Sequence, residues 1–596
     1  MHTSQSHSTI SRRIWLSLVG MALLLILAGC GGFSQTTNPT PTVTPLQYTT
    51  LNLGIPTAAL NSPVVGKLAD STKMHVGITF KVNQSTLNGL GQNKVKSGQS
   101  SDLGTVANQL GISDAQYQQF KEFFGIENAS VTLGKLHTYL SVDATAASFG
   151  RLFQTHFVLH RYNGRTFYAP SPAPKLPSVL ASQILAVTGL DNFTPPPHEM
   201  FSTSQQALLT AQHAHADCTV DNQAVLPQDI AHTYGYDAFW QHGWHGEGMT
   251  INLVEGGAVD QSDIQNYFDC VGFKGKFGVI NVGQPADTAN QDASGEATLD
   301  IDMIAGLAPN ATILDYQSNT DNVGDSDFWA ITNAELQQII DDNSKNTGSG
   351  SIVSISLGEA EPYFTIGDFQ SLNQSLEILT QAEHMTVFVS SGDCAAYGGG
   401  QYKSLAVQFP STSPYVVSVG GTMLQTDSKG NRVSEQAWSD SSADTSQCQN
   451  SWGSGGGNSI TVSEPSWQTA PGVKNKYSDG ERQVPDIAAV AYSVPIYWQG
   501  SWQDVGGTSA AAPIWAAGLA MVNEGLISST KEFFYGPATF YTADDYSNGL
   551  HPYYDITQGN NLYYPATAGW DYATGLGAPN LVDFYNVLLR IITKGQ

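Results

Sequence analysis

The chain has 596 residues, too many for a single core, so two or more domains are expected. Its 51 acidic against 25 basic residues give a formal charge of −26, which argues against binding to nucleic acid or anionic membranes. Charged residues are sparse at 13%, and a lysine-poor acidic surface sheds its charge in acid instead of building up a positive one, a composition associated with acid-working proteins.

Met1 to Cys30 reads as a targeting segment. Arg12-Arg13 precede an apolar run, Ile14 to Leu27, that is short for a membrane span. The run ends Leu27-Ala28-Gly29-Cys30, similar to a bacterial lipobox. Residues 1–29 are therefore expected to be a lipoprotein signal peptide and Cys30 the lipidated N-terminus. Ordinary signal cleavage and an uncleaved anchor are the alternatives, and Ser11-Arg12-Arg13 also suits twin-arginine export. The protein is then extracytoplasmic, at a bacterial cell surface or secreted, and touches membrane only through that lipid. Residues 30–50, Thr/Pro-rich from Gln35 to Pro45, read as an extended tether.

A first globular region spans 51–193. Met74 to Val82 alternates like a strand, and Ser113-Asp114-Ala115-Gln116 opens a helix through Phe124 with a capping box. Leu136 to Val142 reads as a strand and Ala144 to Phe153 as a helix; Val158 to Tyr162 and Thr166 to Tyr168 make a hairpin around Asn163-Gly164. No catalytic constellation appears in this α+β region. Residues 194–217, with Pro195-Pro196-Pro197 and then a Ser/Gln/Ala/His-rich run, read as a linker and a nicking site.

From 218 to 596 strands alternate with helices. Strands are expected at Thr250 to Val254, Thr312 to Tyr316, Ile352 to Ser356, Thr386 to Ser390 and Val416 to Val419, with helices such as Trp329 to Asp341 and Phe369 to Ala382 between them. Apolar strands with crossover helices imply an α/β domain with a doubly wound parallel sheet. Besides Cys30 there are Cys218, Cys270, Cys394 and Cys448, an even number in an exported chain, so two disulfides are expected. Cys218–Cys270 and Cys394–Cys448 are favoured, with four free thiols as the alternative. No Cys/His cluster has zinc spacing.

Three stretches carry chemistry. Gly506-Gly507-Thr508-Ser509-Ala510-Ala511-Ala512-Pro513 places a serine at the start of a helix, expected over Ala510 to Ala520, where backbone donors favour developing negative charge. Taken alone, it is equally a capping serine after a glycine turn. Glu296 and Asp300, four residues apart on a helix expected to be capped by Ser294, put two carboxylates on one face; held together they share protons, and one of them becomes a usable base in acid. Val387 to Asp393 reads as a buried strand with Asp393 at its C-terminal end, where open α/β sheets place their sites. A subtilisin-type peptidase would need a histidine base in an H-G-T-H setting. None of the 14 histidines has one, and His242 and His245 sit in a Gly/Trp-rich loop as ordinary loop residues.

Together these motifs resemble the sedolisin family of serine-carboxyl peptidases in its pro-kumamolisin-like form. Supporting matches are Phe409-Pro410-Ser411-Thr412-Ser413-Pro414, Val419-Gly420-Gly421-Thr422 and Val484-Pro485-Asp486-Ile487. The resemblance covers nearly all of the chain from about residue 50. It implies a subtilisin-like domain behind a ferredoxin-like prodomain that aids folding and plugs the site until cleavage. It implies Ser509 as nucleophile, Glu296 as general base, Asp300 as the group orienting that base, and Asp393 as a protonated oxyanion donor. Glu255 matches a glutamate that extends this network in some members, whereas Leu357 stands where those members have tryptophan. The C-terminal loops resemble the family's calcium site, with the carboxylates of Asp555 and Asp571 and the carbonyls of Ile556, Thr567 and Gly569 as ligands of one structural Ca2+. As bare sequence the same residues read as Asx turns. The implied protein is a monomeric, acid-acting endopeptidase made as a proenzyme, with protein or peptide substrates and its own prodomain as inhibitor. A catalytically silent surface lipoprotein that binds through the same fold is the alternative.

Overall fold

The computed structural model describes residues 47–197, 202–203 and 225–594, apart from 92–93, 98–101, 284, 319–326, 346–347, 399–403, 441–447 and 449–451. The signal segment, Cys30, most of the tether, the linker from 204 to 217 and Cys218 lie outside the described residues. The last residues assigned to the tether are not a tether: Tyr48–Thr50, an aromatic and β-branched run, pairs antiparallel with Lys175–Pro177.

The first region contains β1 (Lys73–Phe80), α1 (Asp114–Gly125), β2 (Ser130–Leu133), β3 (Tyr139–Thr145), α2 (Ala146–Leu152), the hairpin β4 (Phe157–Tyr162) and β5 (Arg165–Pro170), and β6 (Ile184–Thr188). Its sheet runs β6-β1-β3-β2, antiparallel throughout. Leaving aside the inserted hairpin, this is the ferredoxin-like βαββαβ arrangement. Ser113 and Gln116 cap α1 reciprocally, as the sequence spacing requires. Val76, Ile78 and Phe80 of β1 bury against Leu140 and Val142 of β3 and against Phe120, Phe124 and Phe149 of the two helices. The linker contributes β7 (Ser202–Thr203).

The second region contains β8 (Thr250–Glu255), β9 (Lys276–Asn281), α3 (Gln291–Leu307), β10 (Thr312–Gln317), α4 (Phe328–Asn343), β11 (Ile352–Ile355), α5 (Ile366–Gln381), β12 (Thr386–Ser390), β13 (Val417–Thr426), β14 (Arg432–Ala437), β15 (Ile487–Val490), the hairpin β16 (Val494–Trp498) and β17 (Ser501–Gly506), and α6 (Thr508–Thr530). Six strands in the order β9-β10-β8-β11-β12-β13 are parallel. The second half of β13 carries β14 antiparallel and its first half carries β15 parallel. Strand alternation sends neighbouring residues to opposite cores. Ile251 and Leu253 pack with α3 and α6, whereas Val254, Val353 and Val387 pack with α4 and α5. A parallel sheet covered on both faces puts its polar business at the strand ends. Helix α6 is long and apolar enough to cross a membrane, but 94% of its apolar window is buried, which makes it the central core helix.

Two helix starts differ from the sequence expectation. Asn290, not Ser294, caps α3, its side chain accepting from the Ala293 N–H at 3.3 Å; Asp292 in the first turn also suits the helix dipole. Glu296 therefore lies beyond the first turn, not within it. Helix α6 begins at Thr508, so Pro513 lies past the first turn as well. The proline is tolerated because the carbonyl it leaves without a helical donor, that of Ser509, faces the Ser356 hydroxyl at 3.4 Å.

The ferredoxin-like region docks on α4 and α5. Thr79 meets Ser371 hydroxyl to hydroxyl at 2.5 Å, Gln374 donates to the Phe80 carbonyl at 2.9 Å, and Asp327 accepts from the Gly189 N–H at 2.9 Å. Beyond this polar stripe, Leu87, Leu103, Leu110 and Leu136 join the core that lines α4 and α5. Thr194 is buried, its hydroxyl donating to Asp368 at 2.5 Å, and Trp329 donates to the Pro195 carbonyl at 2.7 Å. The linker thus starts docked instead of exposed. Its β7 pairs antiparallel with β17, Ser202 opposite Gly506.

Candidate active site

The expected residues sit on adjoining elements. Ser509 is the second residue of α6. The N-cap, Gly507, has φ 153°, a conformation that favours glycine, and it turns β17 directly into the helix. The first N–H groups of a helix have no helical acceptor, so the backbone around Ser509 presents donors. Glu296 and Asp300 project from α3, which packs along α6. Asp393 follows β12 through Gly392, whose φ of +104° and closeness to Gln408 exclude a side chain.

Side chains tie these elements to one another. The Ser356 hydroxyl, just beyond β11, donates to Asp300 Oδ1 at 3.0 Å and Oδ2 at 2.8 Å and lies 3.4 Å from the Ser509 carbonyl. Asp393 Oδ1 accepts from both the N–H and the hydroxyl of Thr508 at 2.6 Å. Among the described residues, Asp393 Oδ2 has no protein partner. With Oδ1 occupied twice as an acceptor, a proton on this carboxyl belongs on Oδ2, where it is free to be donated. Cys394–Cys448 is bridged and braces the loop that carries Asp393. Cys270 is also disulfide-bonded, and its expected partner Cys218 lies outside the described residues.

All of these acids are buried: Glu296 is 2% exposed, Asp300 0% and Asp393 1%, while Ser509 is 6% exposed. Burial pushes the Asp393 carboxyl up to about 7, against the pull of its Thr508 hydrogen bonds. Burial pushes Asp300 up to about 8, against the pull of Ser356 and of Glu255 beside it. Glu255, at the end of β8, is held well above the ordinary glutamate value by burial and then by Asp300, Asp315, Glu296 and Glu335 around it. Glu255 thus lies buried beside Asp300, and Leu357, at the position where related sites have tryptophan, is buried as well. Ser356 and Thr508 were passed over in the sequence. The position of Ser356 at the C-terminal end of an inner strand was the available signal.

The C-terminal loops bring the five expected cation ligands onto one short segment. Asp555 accepts from the Gly569 N–H at 3.1 Å, and Asp571 accepts from Thr567, Ala573 and Thr574 N–H groups at 2.8 to 2.9 Å. Among the described residues no backbone N–H is bonded to the carbonyls of Ile556, Thr567 or Gly569. Burial pushes Asp571 up to about 7. Two carboxylates beside three unused carbonyls are a donor set that fits a hard cation.

Comparison with known proteins gives the family. The pro-kumamolisin activation domain model matches residues 65–193 and the subtilase family model matches residues 273–535. Kumamolisin of Bacillus sp. (strain MN-32) is 30% identical over 508 residues, 81% of this chain and 84% of that protein. The chain belongs to the sedolisin family of serine-carboxyl peptidases. Sedolisin of Pseudomonas sp. (strain 101) is 27% identical over 476 residues, 76% of this chain and 75% of that protein. The solved structure of Pseudomonas sedolisin with two molecules of pseudo-iodotyrostatin superposes with a TM-score of 0.52 at 28% identity, covering 62% of this chain and 99% of that one. As a sedolisin-family member, the chain is a serine-type peptidase with an N-terminal prodomain in front of a subtilisin-like domain.

Proposed function

We propose that this sedolisin-family chain is an acid-acting endopeptidase made as a proenzyme, with Ser509 as nucleophile and Glu296 as its base. Ser509 Oγ attacks the peptide carbonyl while its proton passes to Glu296; the negative charge of the Glu296–Asp300 pair becomes the charge of the oxyanion. Asp393 Oδ2 and the Ser509 N–H stabilise that oxyanion. Collapse of the intermediate returns the proton from Glu296 to the leaving amine, and water repeats the cycle on the acyl-enzyme. The observation that carries this reading is the doubly occupied Oδ1 of Asp393, which leaves a buried carboxyl poised as a donor only while protonated. Acid is the medium in which such a residue works.

In this reading the ferredoxin-like region is the intramolecular inhibitor and the linker is the first substrate. The pairing of β7 with β17, the strand that leads into Ser509, supports both assignments. The C-terminal loop holds one structural Ca2+ through Asp555, Ile556, Thr567, Gly569 and Asp571, and Cys30 carries the lipid that keeps the enzyme outside the cytoplasm. Purified wild type and Ser509→Ala should be acidified and followed by N-terminal sequencing and peptide hydrolysis across pH. Wild type is expected to shorten within the linker and to cleave peptide in acid, and Ser509→Ala to do neither. A Ser509→Ala precursor that matures at the wild-type rate without added protease overturns self-processing, and one that cleaves peptide overturns the nucleophile.

A further inference from the structure

Asp300 is the front member of a group of buried carboxyls that extends away from Ser509. Glu255 lies beside it at the end of β8. Asp315 on β10 is in register with Leu253, which puts it on the same sheet face as Glu255, two residues back. Glu335 on α4 accepts from the Ser318 hydroxyl, and the Ser318 N–H reaches the Glu255 carbonyl at 3.4 Å. Glu255, Asp300 and Asp315 are 0% exposed and Glu335 is 1% exposed. The charged groups that face Glu255 are Asp300, Asp315, Glu296 and Glu335, and those that face Asp300 include Glu255 and Asp315. Among the described residues, none of Glu255, Asp300, Asp315 and Glu335 forms an ion pair with lysine, arginine or histidine.

A buried acidic group without a cation keeps most of its protons, and its remaining charge settles where hydrogen-bond donors are best placed. Among the described residues, no donor outside this acidic group reaches the oxygens of Glu255 or Asp315. Asp300 receives the Ser356 hydroxyl at both oxygens, and the Glu255 carboxyl beside it also favours its ionised form. We propose that Ser356 is a positioning residue for the peptidase reaction, its hydroxyl holding the group's negative charge on Asp300, next to Glu296, and so setting the acidity at which this pair can take the Ser509 proton. The inference rests on the assignment of Ser509 and Glu296 made above. It deepens that assignment by naming the residue that keeps the charge at the Ser509 end of the group rather than at Glu255 or Asp315. Because the hydroxyl stabilises the ionised form, its loss raises the proton affinity of the pair, and the pair then accepts a proton only in less acidic medium.

The test measures kcat against pH on a short peptide for wild type, Ser356→Ala and Ser356→Thr, each matured in trans, with Ser509→Ala as the inactive control. Ser356→Ala should move the acid limb up by about one pH unit, the scale for one hydrogen bond to a charged group, leave the neutral limb in place, and change kcat more than KM. Ser356→Thr, which keeps the hydroxyl, should restore the limb. An acid limb unmoved in Ser356→Ala while Ser509→Ala is inactive overturns this inference alone; full activity in Ser509→Ala overturns the underlying reading and this inference with it. Should Ser356→Ala not mature, the full-length Ser509→Ala precursor is compared with its Ser356→Ala double variant by infrared absorption of protonated carboxyls across pH. One carboxyl holding its proton to higher pH in the double variant supports the role, and identical titrations overturn it.

Discussion

A carboxyl that must donate a hydrogen bond has to keep its proton, whereas the pair that accepts the serine proton has to have lost one. Among the described residues, Asp393 has two donors on one oxygen and none on the other, and burial holds it up to about 7, so it is neutral through the acid range and ionises as the medium approaches neutrality. An amide donates at any pH. Asp393→Asn, matured in trans, is therefore expected to keep measurable turnover and to extend its upper limb past that of wild type. Asp393→Ala removes the donor and should cost roughly 10² to 10³ in kcat. Turnover against pH for the three proteins checks this; equal impairment of both variants with no movement of the limb would remove Asp393 from the oxyanion site. At this scale the sequence was informative about residue type and spacing. Glu296 and Asp300, four apart, could only share a helix face. It was silent about Ser356 and Thr508, because a serine after a strand and a threonine before a nucleophile acquire meaning only when another element delivers a carboxylate to them.

Elements were legible where their own periodicity decided them and illegible where partners did. The capping box at Ser113 and the hairpin at Asn163-Gly164 are local signals and lie where expected. Strands β2 and β6 were missed: β2 is four residues at a sheet edge, and β6 is a short apolar run whose identity comes from pairing with β1. The motif Val484-Pro485-Asp486-Ile487 turns out to be structural. Asp486 receives both terminal nitrogens of the buried Arg482, at 2.8 and 2.5 Å, and also the Ser418 N–H and the Tyr541 hydroxyl, fastening β15 to β13. The C-terminal loop invites a direct measurement. If it holds calcium, the metal contributes linkage stability of about 3 kcal/mol when free calcium exceeds its Kd roughly a hundredfold. Excess chelator should lower the melting temperature of wild type and leave that of Asp571→Ala unchanged. A wild-type melting temperature that stays put, with metal loss verified, argues against the site.

Across the whole molecule, the joint between prodomain and peptidase domain is itself sensitive to acidity. Asp191 of the prodomain meets Asp327 and Asp368 of the peptidase domain in a buried cluster. Burial, and then mutual repulsion, raises Asp191 and Asp327 well above ordinary aspartate, and burial raises Asp368. Among the described residues, Arg165 on β5 and, farther off, Glu359 and Tyr139 are the other titratable groups around them, and the Arg165 guanidinium is committed to the carbonyls of Asn192 and Phe193 at 2.5 Å. Carboxyls raised in the folded state stabilise it in acid, below their ordinary values, and that contribution is lost as pH climbs through their raised ones. The Ser509→Ala precursor should therefore melt lower near pH 7 than near pH 4, and Asp191→Asn should flatten that slope. An identical slope in the variant would show that the cluster does not titrate. By this argument acid tightens the joint, so the proposed activation would come from cutting the chain and not from loosening the grip. The leucines at positions 87, 103, 110 and 136 carry a separate consequence. They complete the core that lines α4 and α5, so cutting the linker as proposed would take part of that core's packing away from the peptidase domain. A molecule cut in this way would lack that packing surface once unfolded and is expected not to refold, so its working life would be set by how slowly it opens.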